Sequence, residues 1–389
     1  MVHQHFMLAG PYSALDNVIL GHEGVSRWRR IPRQEIRKKL DALSSKTRML
    51  VEWTRPVEDQ AIGVQQRIEI LKLLDLDLDL LILDEPTAVL SPQEILSFFD
   101  QLRDLKKQGK TILIITHKLK EVMQLTDEVT VLRGGRVVKT AQTRDVSIDQ
   151  LAEMMVGRKI SGQIQKAGKT HGQKPVLSVQ NPRLDVFPGE IVGIAGVEGN
   201  GQSDLIRSLA LRRDSETAVI PEDRLGQALL PDATVEDCFL LGNLDLPGFF
   251  SRGWIRRKNL RAQLKLALQE WDIRPAEPLL RAGSLSGGNQ QKLILAREFA
   301  RKPKLILAAQ PTRGVDLGAI EFIHKKITEA ATNGAGVLLV SSDLDEILKL
   351  SDRILVMSRG KFVAEFDHRA AAVTETELGL AMGGGGNNQ

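Results

Sequence analysis

The sequence predicts an α/β protein built from two tandem domains, and two observations support this prediction. The first is an apolar stretch, Leu80–Leu83, which is typical of a buried parallel strand and ends in Asp84 and Glu85. The second is a repeat, because Leu305–Ala308 has the same pattern and the Pro-Thr pairs that follow the two stretches lie 225 residues apart. An unbroken register over about 70 residues indicates a tandem duplication.

The repeat continues through polar positions around this strand. The further pairs at the 225-residue spacing are Gln65 with Gln290, Gln66 with Gln291, His117 with Ser342, Asp127 with Asp352, and Gly135 with Gly360. Both halves are therefore expected to contain the same strands and helices, with different side chains at some of the repeated positions.

Length and composition describe the class of protein. At 389 residues, with 26% charged residues and a mean hydropathy of −0.14, the chain is expected to form two soluble domains of ordinary size. No apolar run approaches the roughly 18 residues of a membrane span, and Met1–Gly10 has no signal-peptide layout. A single cysteine, Cys238, excludes an internal disulfide and fits a reducing cytosol. The net charge of +4 permits an anionic ligand without indicating nucleic acid.

Two apolar strands end in side chains that suit phosphoryl transfer. Asp84 and Glu85 end the first, and His117 follows the second, Ile112–Ile115. Ligands of an open α/β sheet bind beyond the carboxyl ends of its strands. We expect Asp84 to hold Mg²⁺ through its water shell, Glu85 to polarise a water and His117 to contact a γ-phosphate. From these residues alone, two core strands with polar ends are an open alternative.

A glycine-rich loop follows a predicted strand in the second half. Ile191–Ala195 leads into this loop, and the helix Asp204–Leu211 follows it, as in the strand–GxxxxGK[ST]–helix arrangement of a phosphate loop. The candidate nucleotide-binding residues are Gly196, Gly199, Asn200, Gly201, Gln202 and Ser203, of which Ser203 is also a candidate Mg²⁺ ligand. Because Gln202 replaces the lysine, we expect weak binding, and a tight turn is the alternative.

The most specific stretch is LSGGNQQK, Leu285–Lys292. It opens a predicted helix, Gln290–Ala300, whose free N–H groups and serine hydroxyl can face an anion. The candidate nucleotide-binding residues here are Ser286, Gly287, Gly288 and Gln290.

Together, LSGGNQQK, LLILDEPT, the histidine strand and the glycine-rich loop resemble the nucleotide-binding subunits of ABC transporters. More narrowly, MVHQHFML, GVEGNGQS and AAQPTRGVD look like the double-headed ATPases of bacterial simple-sugar and nucleoside importers. The resemblance covers nearly the whole chain. It implies two tandem P-loop NTPase (ABC-type) nucleotide-binding domains.

In that family, ATP is held between the phosphate loop of one domain and the signature helix of the other. The resemblance implies that Gln4 touches Mg²⁺ and the membrane subunit, and that Asp84 and Glu85 are the metal and water carboxylates. It makes His117 the switch histidine, with Ser286–Gly288 completing that site from across the interface.

The resemblance also implies a second site, which would join Gly196–Ser203 with Ala61–Gln66. Its motifs are degraded throughout: Gln202 replaces Lys, Ala309 replaces Asp, Gln310 replaces Glu, Ser342 replaces His, and AIGVQQ replaces the signature. We expect this site to bind nucleotide weakly or not at all, and to leave it unhydrolysed.

The first half departs from the family pattern at its start. In the second half the phosphate loop ends 19 residues before Glu222, the counterpart of Gln4, whereas only three residues precede Gln4. The first domain is therefore expected to be truncated at its N-terminus and to lack its phosphate loop. The predicted divisions are 1–157 for this domain, 158–174 for a linker, 175–380 for the degenerate second domain and 381–389 for a Gly/Asn tail.

The implied function is that of an importer subunit that couples ATP binding and hydrolysis to uptake of a nucleoside or simple sugar, inactive as the chain stands. The implied cofactors are ATP and Mg²⁺. The implied partners are permease subunits and, indirectly, an extracytoplasmic solute-binding protein, with no nucleic acid, at the cytoplasmic face of the cell membrane. The alternatives are a non-hydrolysing regulatory or structural subunit that docks on permeases, and a soluble tandem ABC protein that acts on ribosomes or DNA.

Overall fold

The computed structural model describes residues 1–3, 7–20, 31–47, 49–60, 62–76, 78–87, 90, 92–157, 174–196, 199–212, 214–244, 246, 248–251 and 254–382. The chain divides into two compact units, Met1–Arg158 and Lys159–Gln389. Gln4, Ala61, nearly all of the predicted linker and most of the predicted tail lie outside the described residues. The predicted domain boundaries stay a prediction.

The first unit contains a short parallel sheet, a separate hairpin and the helices around them. Its strands are β1 (Leu80–Asp84), β2 (Thr111–Ile115), β3 (Glu128–Arg133) and β4 (Arg136–Gln142). Its helices are α1 (Ala14–Ile19), α2 (Arg33–Thr47), α3 (Ile62–Asp75), α4 (Pro92–Lys107), α5 (Leu119–Leu125) and α6 (Ile148–Val156), with 3₁₀ turns at Val57–Asp59 and Thr143–Asp145.

Strand β1 organises the core of this unit. It pairs in parallel with β2, so that Asp84 lies beside Ile115 at the carboxyl end. On its other edge the Val2 amide donates to the Ile82 carbonyl at 2.9 Å, and the Asp84 amide donates to the Val2 carbonyl at 3.0 Å. Leu81 and Leu83 point into a buried cluster with residues of α3 and α4, which fixes the face that β1 turns to the core.

The second unit is larger. Its strands are β5 (Leu177–Gln180), β6 (Arg183–Val186), β7 (Ile191–Ala195), β8 (Thr217–Ile220), β9 (Phe250–Ser251), β10 (Trp254–Ile255), β11 (Leu305–Ala309), β12 (Gly336–Val340), β13 (Arg353–Ser358) and β14 (Lys361–Asp367). Its helices are α7 (Gln202–Ala210), α8 (Val235–Leu241), α9 (Arg257–Glu270), α10 (Gly287–Phe299), α11 (Leu317–Thr332), α12 (Leu344–Leu350) and α13 (Glu375–Met382), with a π-helical turn at Arg224–Ala228 and a 3₁₀ turn at Ala282–Ser284.

A six-stranded sheet, counted over the described residues, forms the centre of this unit. Its order is β14-β13-β7-β12-β11-β8, and only the β13–β14 pair within it is antiparallel. Strands β7, β11 and β12 are buried along their whole length, as expected for apolar strands covered on both faces.

The strand bounds reproduce the repeat found in the sequence. Strands β1, β2, β3 and β4 begin 225 residues before β11, β12, β13 and β14 respectively. The predicted strands at 80–83, 112–115 and 191–195 are thereby confirmed. The predicted helix Gln290–Ala300 begins earlier, at Gly287, because the Ser286 hydroxyl caps it by accepting the Asn289 amide. The helix predicted from Asp204 likewise begins at Gln202.

Candidate functional site

The first unit brings Glu85 and His117 into contact at the carboxyl ends of β1 and β2. The Glu85 Oε1 atom lies 2.9 Å from His117 Nδ1, and both side chains are about a quarter exposed, at 22% and 25%. Asp84, the last residue of β1, is half-buried next to them. Because both side chains reach solvent, the carboxylate can polarise a water and the imidazole can contact a phosphate.

The backbone after β1 explains why Glu85 points at His117. Glu85 has a φ of 46°, in the left-handed region, and its amide donates to the Ile115 carbonyl at 2.8 Å. The Gln66 side chain holds the next residue by donating to the Pro86 carbonyl at 2.6 Å. The backbone of a residue other than glycine is strained in this region. Such strained residues cluster at functional sites, where the surrounding structure holds them in place.

The second unit repeats this geometry with different chemistry. Gln310 has a φ of 48° and its amide donates to the Val340 carbonyl at 2.7 Å, as Glu85 does to Ile115. Its Oε1 accepts the Ser342 amide at 3.0 Å and the Ser342 hydroxyl at 3.1 Å. An amide oxygen is no general base, and Ala309 offers no oxygen to a metal. This position therefore keeps the shape of the Glu85–His117 site and loses its reactive groups.

The glycine-rich loop of the second unit is filled by its own side chain. Gln202 is buried, and a Cβ atom added to Gly196 would lie only 2.1 Å from its Nε2 atom. Gly199 and Gly201 have φ values of 90° and 102°, which glycine adopts without strain. A cavity of about 10 Å³ remains between this loop and Gln310, about the room for one water molecule.

The tip of the loop is fastened to the β13–β14 hairpin. The Asn200 carbonyl accepts the Gly360 amide at 2.8 Å, and the Asn200 side chain accepts the Arg359 amide at 3.2 Å. Asn200 thus holds the loop through protein contacts, and its predicted role in nucleotide binding stays a prediction.

Ser203, the predicted metal ligand, contacts a carboxylate that sequence reasoning did not connect with it. Its hydroxyl donates to Glu222 Oε2 at 2.7 Å, and Arg313 Nη1 donates to Glu222 Oε1 at 2.6 Å. Glu222 thus places a negative charge beside the phosphate loop, where an incoming phosphate would meet it. The repeat could have indicated Glu222 from the sequence. Glu222 comes just after β8, which pairs with β11, and Gln4 comes at the corresponding place after Val2, which pairs with β1.

The start of α10 shows why glycine occupies two signature positions. A Cβ at Gly287 would lie 2.9 Å from the Gly314 carbonyl oxygen, and one at Gly288 would lie 2.9 Å from Asp316 Oδ2. Both glycines therefore allow the helix to pack closely against the loop after β11.

The Arg224 guanidinium also lies against Gly287, and burial lowers the pKa of Arg224 despite the opposing charge of Asp223. Ser286 itself is exposed.

Gln290 has a structural role. Its side chain is buried, and its amide donates to the Ala282 and Gly283 carbonyls at 3.4 Å each. Gln65, its repeat partner, similarly donates to the Val57 and Gln60 carbonyls at 3.1 and 2.9 Å. Contact of Gln290 with nucleotide stays a prediction.

The donor set limits how a metal could bind. Within the described ranges, no group of three or more His, Cys, Asp or Glu side chains is arranged to hold a metal ion. Mg²⁺ bound to a nucleotide usually needs one or two carboxylates together with phosphates and waters, so Asp84 fits such an ion and Ala309 does not. None of the helices in the described part of the chain is long and apolar enough to cross a bilayer.

The chain is similar to known proteins along its whole length. The ABC transporter family model matches residues 179–313. The nucleoside import ATP-binding protein NupA of Lactococcus lactis is 37% identical over 100% of this chain and 83% of the relative. The glucose import ATP-binding protein TsgD13 of Haloferax volcanii is 38% identical over 100% of this chain and 82% of the relative.

A solved structure shows the same fold. The archaeal ribosome recycling factor aABCE1, in complex with the ribosomal stalk protein aP1, superposes with a TM-score of 0.59 at 19% identity, covering 90% of this chain and 69% of the other. At that identity the likeness concerns the fold alone. From the full-length similarity to the import proteins, the chain belongs to the ABC transporter family, among the two-domain ATP-binding proteins of nucleoside and sugar importers.

Proposed function

We propose that the chain is the ATP-binding subunit of an importer for nucleosides or simple sugars, and that its hydrolytic chemistry belongs to one site only. The observation that carries this proposal is the 2.9 Å contact between Glu85 and His117, set against Gln310 and Ser342 in the same geometry. The solute class comes from the relatives, which are named for the import of nucleosides and of glucose.

In the proposed site, Glu85 orients and polarises the attacking water, and His117 donates a hydrogen bond to the γ-phosphate. Asp84, together with Gln4, would hold Mg²⁺, which supplies positive charge to the phosphate oxygens when bound. We assign Ser286, Gly287 and Gly288 to the same nucleotide. This assignment rests on the distribution of intact motifs, since the carboxylates and the histidine lie in the first half and LSGGNQQK in the second.

The second site is proposed to hold nucleotide weakly and without turnover. Gln202 fills the phosphate loop, Glu222 adds a negative charge beside Ser203, and Gln310 cannot act as a base. The residues before Asp84 in this sequence contain no GxxxxGK[ST] segment, so hydrolysis at the Glu85 site is proposed to need a phosphate loop from outside these residues. Positioning and charge clamping of the phosphates supply most of the catalysis of phosphoryl transfer.

The proposed partners are permease subunits and, through them, an extracytoplasmic solute-binding protein, which places the chain at the cytoplasmic face of the membrane. The test is to sediment the tagged chain from lysed source cells with membranes and, separately, with ribosomes. We expect it in the membrane fraction, together with loss of labelled nucleoside or sugar uptake when its gene is deleted. Sedimentation with ribosomes and unchanged uptake would overturn the proposal in favour of a soluble tandem ABC protein.

A further inference from the structure

The β9–β10 hairpin of the second unit exposes three large apolar side chains. Trp254 is 80% exposed, and Phe250 and Ile255 are each 37% exposed. The other two tryptophans that the structure describes, Trp53 and Trp271, are only 1% and 5% exposed. Because a tryptophan side chain has a large apolar area, three such side chains together on one short hairpin indicate a surface that another component covers.

The base of this hairpin is packed into the core of the unit. Phe249, next to Phe250, is fully buried and packs edge-to-face on Phe239 of α8, with the ring centroids 6.4 Å apart. The Arg256 amide donates to the Phe249 carbonyl at 2.7 Å and closes the hairpin. The exposed side chains are therefore held outward by a buried base.

The apolar side chains project from both faces of the hairpin. Ile255 pairs directly with Phe250, and Trp254 pairs with Ser251. Because side chains alternate along a strand, Phe250 and Ile255 lie on one face and Trp254 lies on the other. A flat protein surface would cover one of these faces, whereas the fluid interface of a bilayer surrounds a hairpin that enters it. The two-sided pattern therefore favours a membrane.

Positive charge is concentrated in and after the hairpin. Between Leu246 and Gln269 the sequence has six Lys or Arg residues and no Asp or Glu, although the net charge of the whole chain is only +4. These six are Arg252, Arg256, Arg257, Lys258, Arg261 and Lys265. Three of them, Arg256, Arg257 and Lys258, directly follow β10 and are exposed. The charge next to Trp254 therefore complements an anionic surface.

Two acidic side chains of α8 offset part of this charge. The buried Glu236 carboxylate accepts hydrogen bonds from Arg257 and Arg261, whose side chains are still 51% and 48% exposed. Asp237 lies 3.6 Å from the Arg257 guanidinium. Six cations outnumber these two carboxylates, so the surface beside Trp254 stays positive. Tryptophan combined with Lys and Arg is typical of segments that bind the headgroup region of anionic membranes.

We propose that the β9–β10 hairpin enters the headgroup region of an anionic phospholipid bilayer. Phe250, Trp254 and Ile255 bury apolar area at the interface, and the cations at the start of α9 face the lipid phosphates. The contact differs from attachment through permease subunits, because it needs no protein in the membrane. It goes beyond the proposed function and does not depend on it.

The experiment sediments the full chain with sucrose-loaded vesicles of phosphatidylglycerol and phosphatidylcholine, or of phosphatidylcholine alone. We expect binding to the anionic vesicles that weakens as the salt concentration rises. Trp254→Ala should lower the partition coefficient about tenfold, because it removes most of the apolar area that enters the interface. Lys258→Glu should also lower it about tenfold, because it removes a cation and adds an anion beside the lipid phosphates.

The matched controls are Leu211→Ala and Lys361→Glu. Leu211 is 84% exposed at the end of α7, and Lys361 is exposed on β14, at one edge of the central sheet. We expect both controls to bind the vesicles as the unsubstituted chain does. Trp254→Phe keeps an aromatic ring and should retain more binding than Trp254→Ala. Circular dichroism checks that each variant folds.

Absence of binding to the anionic vesicles, or equal effects of Trp254→Ala and Leu211→Ala, would overturn the proposal. Binding to source-cell membranes but not to vesicles, abolished by trypsin treatment of those membranes, would overturn it in favour of a membrane protein. Sedimentation with ribosomes but not with vesicles, abolished by Trp254→Ala, would overturn it in favour of RNA. Because the vesicles contain no protein, failure of the importer function would leave the vesicle result unchanged, and the two failures are distinguishable.

Discussion

Replacing Glu222 with glutamine is expected to strengthen binding of free ATP at the phosphate loop of the second unit. The Glu222 carboxylate lies 2.7 Å from the Ser203 hydroxyl. A phosphate oxygen hydrogen-bonded to that hydroxyl would lie within about 5.4 Å of the carboxylate, if its own hydrogen bond is about 2.7 Å long. At an effective dielectric constant of about 20, the repulsion is about 3 kcal/mol per unit charge.

The cation of Arg313 offsets part of this repulsion, since its Nη1 atom lies 2.6 Å from the same carboxylate. Solvent reduces it further, because the Glu222 and Arg313 side chains are 25% and 33% exposed. We therefore expect Glu222→Gln to improve the affinity by about 1–2 kcal/mol, or about 5- to 30-fold. Glutamine keeps the shape of the side chain, so the neighbouring packing should change little.

The assay is a titration with a fluorescent ATP analogue in the presence of EDTA, so that no metal bridges the carboxylate and the phosphates. Glu216→Gln is the matched control, because Glu216 is also paired with a cation, Lys304, at 2.7 Å on the surface of the same unit. Equal affinities of Glu222→Gln and the unsubstituted chain would refute the argument that Glu222 repels the phosphates.

Three further predictions concern the two sites and the core. The isolated chain should release phosphate from Mg·ATP only at background in a coupled assay, and robust release that Glu85→Gln abolishes would contradict this. Gln202→Lys should raise the affinity for the fluorescent analogue about tenfold or more by adding a charge-assisted contact. Equal affinities of this variant and the unsubstituted chain would indicate that the loop is only a tight turn. His324→Ala should lower the free energy of unfolding of the second unit by about 1–3 kcal/mol, because it removes a 2.9 Å hydrogen-bond partner of the buried Glu346 carboxylate and leaves the Thr312 hydroxyl at 2.8 Å. Cys238 reports this unfolding, since burial raises its thiol pKa and slows labelling until the unit opens; an unchanged urea midpoint of labelling would contradict the prediction.

The sequence predicted the parts of the site that follow from strand order. Glu85 and His117 end two apolar strands, and parallel neighbours bring their carboxyl ends to one edge, so both side chains were expected at one site, although their direct contact was not predicted. The loop at Gly196–Ser203 was likewise predicted from its place between a strand and a helix.

Contacts that depend on side-chain direction were not predictable in the same way. Ser203, Glu222 and Arg313 are far apart in the sequence and meet only because the sheet brings the ends of their strands to one edge. The Gln290 side chain turns inward to the 3₁₀ turn because the helix begins at Gly287, and its contact with nucleotide stays a prediction. The inward position of the Gln202 amide depends on local packing against Gly196.

We assign hydrolysis to Glu85 and His117 and not to Gln310 and Ser342. The most direct measurement is uptake of labelled nucleosides and sugars by source cells whose own gene carries single substitutions, with protein levels matched by immunoblot. We expect Glu85→Gln to abolish uptake and Gln310→Ala to leave it near the unsubstituted level. Uptake that survives Glu85→Gln and is lost with Gln310→Ala would contradict it.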